Sequence, residues 1–159
     1  MRYLAARNPR NSVKIIFVPM REKYDCLTCV IAMLLGITYE EVLAAFGGNI
    51  DPSKDRSNEC DRVYAAFHRL IQQHHRGILE LESVPSLEEG RRYWLGIRID
   101  DPRNPLSQTM THSIVIDEVG RVLDPNPEYG QFKSLQEWDS AMTLPHIIEF
   151  ATEIFEYSL

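Results

Sequence analysis

The residues with most chemical potential in this chain are three thiols, Cys26, Cys29 and Cys60, and two distant polar residues, His112 and Asp124. Cys26 and Cys29 stand in DCLTCVIAMLLG, where an apolar helix begins. A thiol in the first turn of a helix meets unpaired backbone N–H groups and the positive end of the helix dipole, and both favour the thiolate. Thiol catalysis then needs a base within hydrogen-bond reach and a third group to orient that base. His112 opens one predicted strand and Asp124 closes the next, so the pair can supply both roles.

Two other chemistries use the same thiols. A C-x-x-C at a helix start just after a strand is the arrangement of thiol-redox modules. The order that follows here, two more helices and then strands, does not suit a thioredoxin-like fold, and no proline stands where one would face the thiols. Cys26, Cys29 and Cys60 with a histidine could form a zinc site, but Cys60 is single and no second paired motif exists. Cys29 reads as a packed neighbour of Cys26. His68, His74 and His75 share one predicted helix and read as solvated.

Whether His112 and Asp124 meet depends on the turn between their strands. Opposed residues of a hairpin face the same side, and facing alternates along each strand. A three-residue turn Glu118-Val119-Gly120 with a left-handed Gly120 pairs Asp117 with Arg121 and puts Asp124 across from Ile114, one diagonal step from His112. A two-residue Val119-Gly120 turn would put the pair on opposite faces. Gly120 favours the first.

The elements that must hold these residues follow from periodicity. VKIIFV (Val13 to Val18) is apolar and β-branched and reads as a strand. Asp25 is a good N-cap for a helix from Cys26 to about Leu35, with Val30, Met33, Leu34 and Ile37 on the Cys26 face and Gly36 at its end. Thr38 and Glu41 form a capping box ahead of Val42 to Phe46, which stops at Gly47-Gly48. A polar loop, GGNIDPSKDRSNE, leads to a helix from about Cys60 to His75 with Val63, Phe67, Leu70 and Ile71 on one face and Gly77 as its stop. The second half alternates instead: YWLGIRI, THSIVID and RVLDP read as strands. Ser134 and Glu137 open a short helix to about Ala141, and HIIEFATEIFEY fits a last strand. Helices first and antiparallel strands after make an α+β pattern of N-terminal helices packed on an antiparallel sheet.

The length of 159 residues suits one domain spanning 1–159, able to bury roughly two thirds of its unfolded surface. A net charge of −6 argues against a nucleic-acid binder, and the short cluster Arg2, Arg7, Arg10 reads as a solvated terminus. The longest early apolar run, Ile15 to Val18, is far shorter than a signal or membrane span, so no membrane partner is expected. Three cysteines are too few for a disulfide scaffold, which points to reduced thiols in a cytoplasm.

Cys26, Ala32, Met33, Leu34 and Leu35, with the following TYEEV, resemble the nucleophile helix of papain-like cysteine peptidases. HSIVIDEVGRVLDPNPEYG resembles the family's His strand and Asp-Pro strand. The likeness is strongest to peptidases that process double-glycine leaders and to short phage and bacterial proteins of the same pattern. It implies a papain-like fold, no cofactor, a polypeptide or protein substrate, and a triad of Cys26 as nucleophile, His112 as general base and acid, and Asp124 as orienting carboxylate. The Cys26 backbone N–H would give one oxyanion donor. The family's usual Gln falls on Met20, Leu27 replaces a small residue, and Cys29 stands where Ala is common. The reading is therefore a cysteine hydrolase of peptide or protein amides, with the 49–59 and 100–111 loops as candidates to flank its cleft. The alternatives are a papain-like scaffold that binds or inhibits without turnover, and a C-x-x-C redox module.

Overall fold

The computed structural model describes residues 13–48, 59–75, 79–103 and 111–156. Three helices come first: α1 (Cys26–Leu35), α2 (Tyr39–Phe46) and α3 (Glu59–His75). Then come β1 (Leu79–Val84), β2 (Arg92–Ile99), β3 (Thr111–Ile116), β4 (Val122–Asp124), β5 (Gly130–Phe132), α4 (Leu135–Ala141) and β6 (His146–Glu156). The strands form one antiparallel sheet in the order β1-β6-β2-β3-β4-β5. The expected α+β architecture of helices on an antiparallel sheet is what the chain adopts. Among these residues no single helix is long and apolar enough to cross a membrane.

Local sequence accounts for the helix ends. Gly36 and Gly47 close α1 and α2 in the left-handed conformation, with φ of 64° and 69°. Thr38 and Glu41 make the full reciprocal capping box at the start of α2. The helix expected from Cys60 is α3, whose Val63, Phe67, Leu70 and Ile71 are buried while His68 and His74 are exposed. The Cys60 and His75 side chains, Gly77, the three N-terminal arginines and most of the two flanking loops lie outside the described residues.

Three expectations need correction. α1 is buried around nearly its whole circumference, with only Leu27 partly open, so Cys26 does not begin a one-sided stripe. Such a helix belongs in the centre of a domain. Val13–Val18 forms no ladder. Instead it packs Val13, Ile15, Phe17 and Val18 on the cluster around α1, with Val13 Cγ1 against Gly36. It ends where the Met20 N–H donates to the Pro125 carbonyl at 2.8 Å, so an extended apolar run serves as a strap along α1. Two short strands were not foreseen: β1, whose LELESV carries three charged or polar residues, and β5, only GQF.

The sheet separates two apolar cores. Trp94, Val115, Leu123 and Ile154 pack with α1 and α3 on one face. Tyr93, Leu95, Ile97, Ile114, Ile116 and Val122 meet Trp138 and Met142 of the α4 region on the other. Gly96 lets the faces close beside a bulge in the β2–β6 ladder. A Cβ there would overlap the Phe150 ring, which lies edge-on to Trp94 at 5.1 Å. Gly96→Ala should therefore lower stability by about 1–3 kcal/mol through overpacking. Chemical denaturation tests this, and an unchanged midpoint would contradict the seating of Phe150.

Candidate active site

The loop before α1 is organised by a buried carboxylate. Asp25 is 1% exposed, and its Oδ2 accepts from the Arg21 and Glu22 backbone N–H groups, each at 3.0 Å, and from the Tyr39 hydroxyl at 2.7 Å. The residue takes the N-cap position expected of it, but its side chain makes no capping bond to the helix. Turned backwards, it folds residues 21–25 into a tight loop in which Tyr24 takes a left-handed φ of 72°. Such backbone strain survives only where surrounding contacts impose it. The consequence lies at Cys26. The first intrahelical bond runs from Cys29 N–H to the Asp25 carbonyl, so the N–H groups of Cys26, Leu27 and Thr28 precede the ladder and carry no side-chain cap.

The turn beyond β3 has the three-residue form. Asp117 N–H donates to the Arg121 carbonyl and Gly120 N–H to the Asp117 carbonyl, both at 3.0 Å, with Gly120 at φ 84°. The Asp117 carboxylate accepts from the Val119 and Arg121 N–H groups and from Arg121 Nε, which pins the register. Val115 pairs with Leu123 and Ile116 with Val122, so Asp124 falls across from Ile114 on the His112 face. His112 Nε2 lies 2.7 Å from Asp124 Oδ1.

Asp124 is wholly buried and held by more than the histidine. Asn126 N–H donates to Oδ1 at 2.9 Å, and the Trp138 indole Nε1–H donates to Oδ2 at 2.8 Å. Neither partner was read from the sequence. Asn126 follows an Asp-Pro pair, a turn setting in which a carboxylate caps the N–H two residues on. Trp138 sits in the capped segment SLQEW, but nothing in its spacing points back to Asp124.

The electrostatics divide the two thiols. Burial opposes charge on the His112 ring, and the Asp124 carboxylate outweighs it by charge and hydrogen bond. Cys26 contributes in the same direction as a hydrogen-bond and charge partner, and the ring is pushed up to about 10. With Nε2 on Asp124, the ring nitrogen left to partner Cys26 is Nδ1. Cys29 is fully buried, and burial, with the nearby Asp25 and Cys26, drives its thiol far above the ordinary range. Cys29 is held as a neutral thiol and packs as expected. Both cysteines are free thiols. Among the described residues no three His, Cys, Asp or Glu side chains gather as metal ligands.

The three residues singled out from sequence therefore converge: Cys26 at the head of α1, His112 on β3, Asp124 at the end of β4. The Met20 position contributes no donor. Its side chain is a thioether and its N–H is committed to Pro125.

Because His112 binds its proton more tightly in the folded chain than at its ordinary 6.5, it contributes stability that is full below pH 6.5 and lost as pH rises toward about 10. The stability gap between wild type and His112→Gln, followed by urea unfolding, should be largest at acid-neutral pH and shrink through that window. A gap independent of pH would contradict the ion pair.

A scan against protein-family models gives no match, and comparisons with curated proteins and with solved structures give none either.

Proposed function

We propose that the chain is a cysteine hydrolase of peptide or protein amides, working by acyl transfer through Cys26, His112 and Asp124. The observation that carries this reading is the 2.7 Å contact between His112 Nε2 and Asp124 Oδ1, with Cys26 as the other partner of the same ring. The papain-like resemblance of the two motifs supplies the substrate class and remains part of the proposal.

In the proposed cycle the Cys26 proton resides on His112 and the sulfur attacks the amide carbonyl carbon. The carbonyl oxygen takes up the negative charge facing the Cys26 N–H and the uncapped first turn of α1. His112 returns its proton to the departing amine as the C–N bond breaks, leaving a thioester on Cys26. Water, deprotonated by His112, attacks that thioester, releases the acid product and restores the Cys26 thiolate beside protonated His112. Asp124 keeps its proton-poor form throughout and holds the ring. Reduced thiols suit a cytoplasmic setting.

Met20 favours a second reading, a papain-like scaffold that binds a polypeptide without turnover. Removing one oxyanion donor costs about 10²–10³ in kcat. Labelling and turnover separate the two. Iodoacetamide, with the modified residue located by mass spectrometry, should label Cys26 rapidly and Cys29 hardly at all, and His112→Ala should slow Cys26 by about 10²-fold or more. Fast labelling with a thioester trapped from peptide substrates supports the hydrolase. Fast labelling with peptide binding but no thioester supports the scaffold. Slow labelling that His112→Ala does not change would sink the triad.

A further inference from the structure

We infer that Trp138 is a positioning residue that makes a carboxylate obligatory at position 124 and, through it, decides which nitrogen of the neutral His112 ring carries the proton. The functional consequence rests on the acyl-transfer reading; the geometry does not.

Three donors converge on one side chain. His112 Nε2 and the Asn126 N–H meet Asp124 Oδ1 at 2.7 and 2.9 Å, and the Trp138 indole N–H meets Oδ2 at 2.8 Å. An indole nitrogen donates and cannot accept. Trp138 is 1% exposed and Asp124 0%, so neither has water to turn to. The indole is also held from outside the site. It sits in α4 behind the Ser134 cap and lies edge-on to the His146 ring at 5.3 Å, itself tied to Asp139 and the Leu144 carbonyl.

A carboxylate offers acceptors on both oxygens and satisfies all three donors. An asparagine offers one acceptor oxygen and one NH2 group. With its oxygen toward His112 and Asn126, its NH2 points at the Trp138 N–H, donor against donor. Flipped, its NH2 points at the Asn126 N–H and at His112 Nε2. The histidine can then relieve one clash only by moving its proton to Nδ1, which turns a donor toward Cys26 and removes the acceptor the thiol needs. A buried unmet donor is costly either way. Trp138 thus excludes the amide and, whenever the ring is neutral, enforces the Nε2–H tautomer.

The test is a double-mutant cycle of Asp124→Asn and Trp138→Phe, read by three measurements: Cys26 alkylation by iodoacetamide, the His112 tautomer by nitrogen-15 NMR, and the unfolding midpoint. Phenylalanine keeps an aromatic ring and removes the donor. Asp124→Asn alone should slow alkylation by about 10²-fold or more and shift the ring toward Nδ1–H. Adding Trp138→Phe should recover about tenfold of that rate, shift the neutral ring back toward Nε2–H, and raise the midpoint above that of Asp124→Asn. Independent effects, with the asparagine equally harmful in both backgrounds, overturn the inference. So does an Asp124→Asn chain that fails to fold with either residue at 138, whereas folding restored by phenylalanine upholds it. If Cys26 proves unreactive in all four proteins, the hydrolase reading fails, and the tautomer and midpoint still decide the role of Trp138.

Discussion

A carboxylate with no access to water, Asp124, is the constraint around which the candidate site is built. Desolvating such a charge costs several kcal/mol unless partners replace the lost water. Here the replacement comes from three directions: a backbone N–H two residues on, an indole from α4, and an imidazole from the neighbouring strand. Each partner is fixed by a different piece of the fold. The arrangement therefore depends on the β3–β4 register, the Asp-Pro-Asn turn and the docking of α4 all at once.

The other half of the site depends on the opposite treatment of a carboxylate. Asp25 turns away from the helix it begins and spends its Oδ2 on the preceding loop and on Tyr39. This leaves the head of α1 uncapped beside Cys26. The strap of residues 13–20, bonded to Pro125, ties that head to the end of β4. Together with the direct packing of α1 on β3, it holds Cys26 near a histidine more than eighty residues further along the chain.

Much of this was legible from residue types. Cys26, His112 and Asp124 could be named because a helix-start thiol, a strand histidine and an Asp-Pro carboxylate have few other uses in combination. The facing of the pair followed from parity once Gly120 chose the turn, and the helix ends followed from Gly36, Gly47 and the Thr38–Glu41 box. What could not be read was whatever depended on tertiary docking. Val13–Val18 has strand chemistry, but its backbone has no ladder to join, since it runs along α1 rather than beside a strand. β1 was missed because LELESV is short and half charged or polar, and only its pairing with the distant β6 makes it a strand. Trp138 was missed because its distance from Asp124 carries no period, and only the seating of α4 brings the indole to the carboxylate.

The central claim is that buried Asp124 holds His112 as a cation beside Cys26 at neutral pH. Nitrogen-15 NMR of the His112 ring, recorded from pH 5 to 11 on the folded protein, tests it most directly. The account predicts both ring nitrogens protonated at pH 7, a downfield Nε2–H shared with Asp124, and loss of the charge only near pH 10. In Asp124→Ala that downfield signal should vanish and the transition should fall by several units. A neutral ring at pH 7 that titrates near 6.5 and ignores the Asp124 substitution would contradict the account.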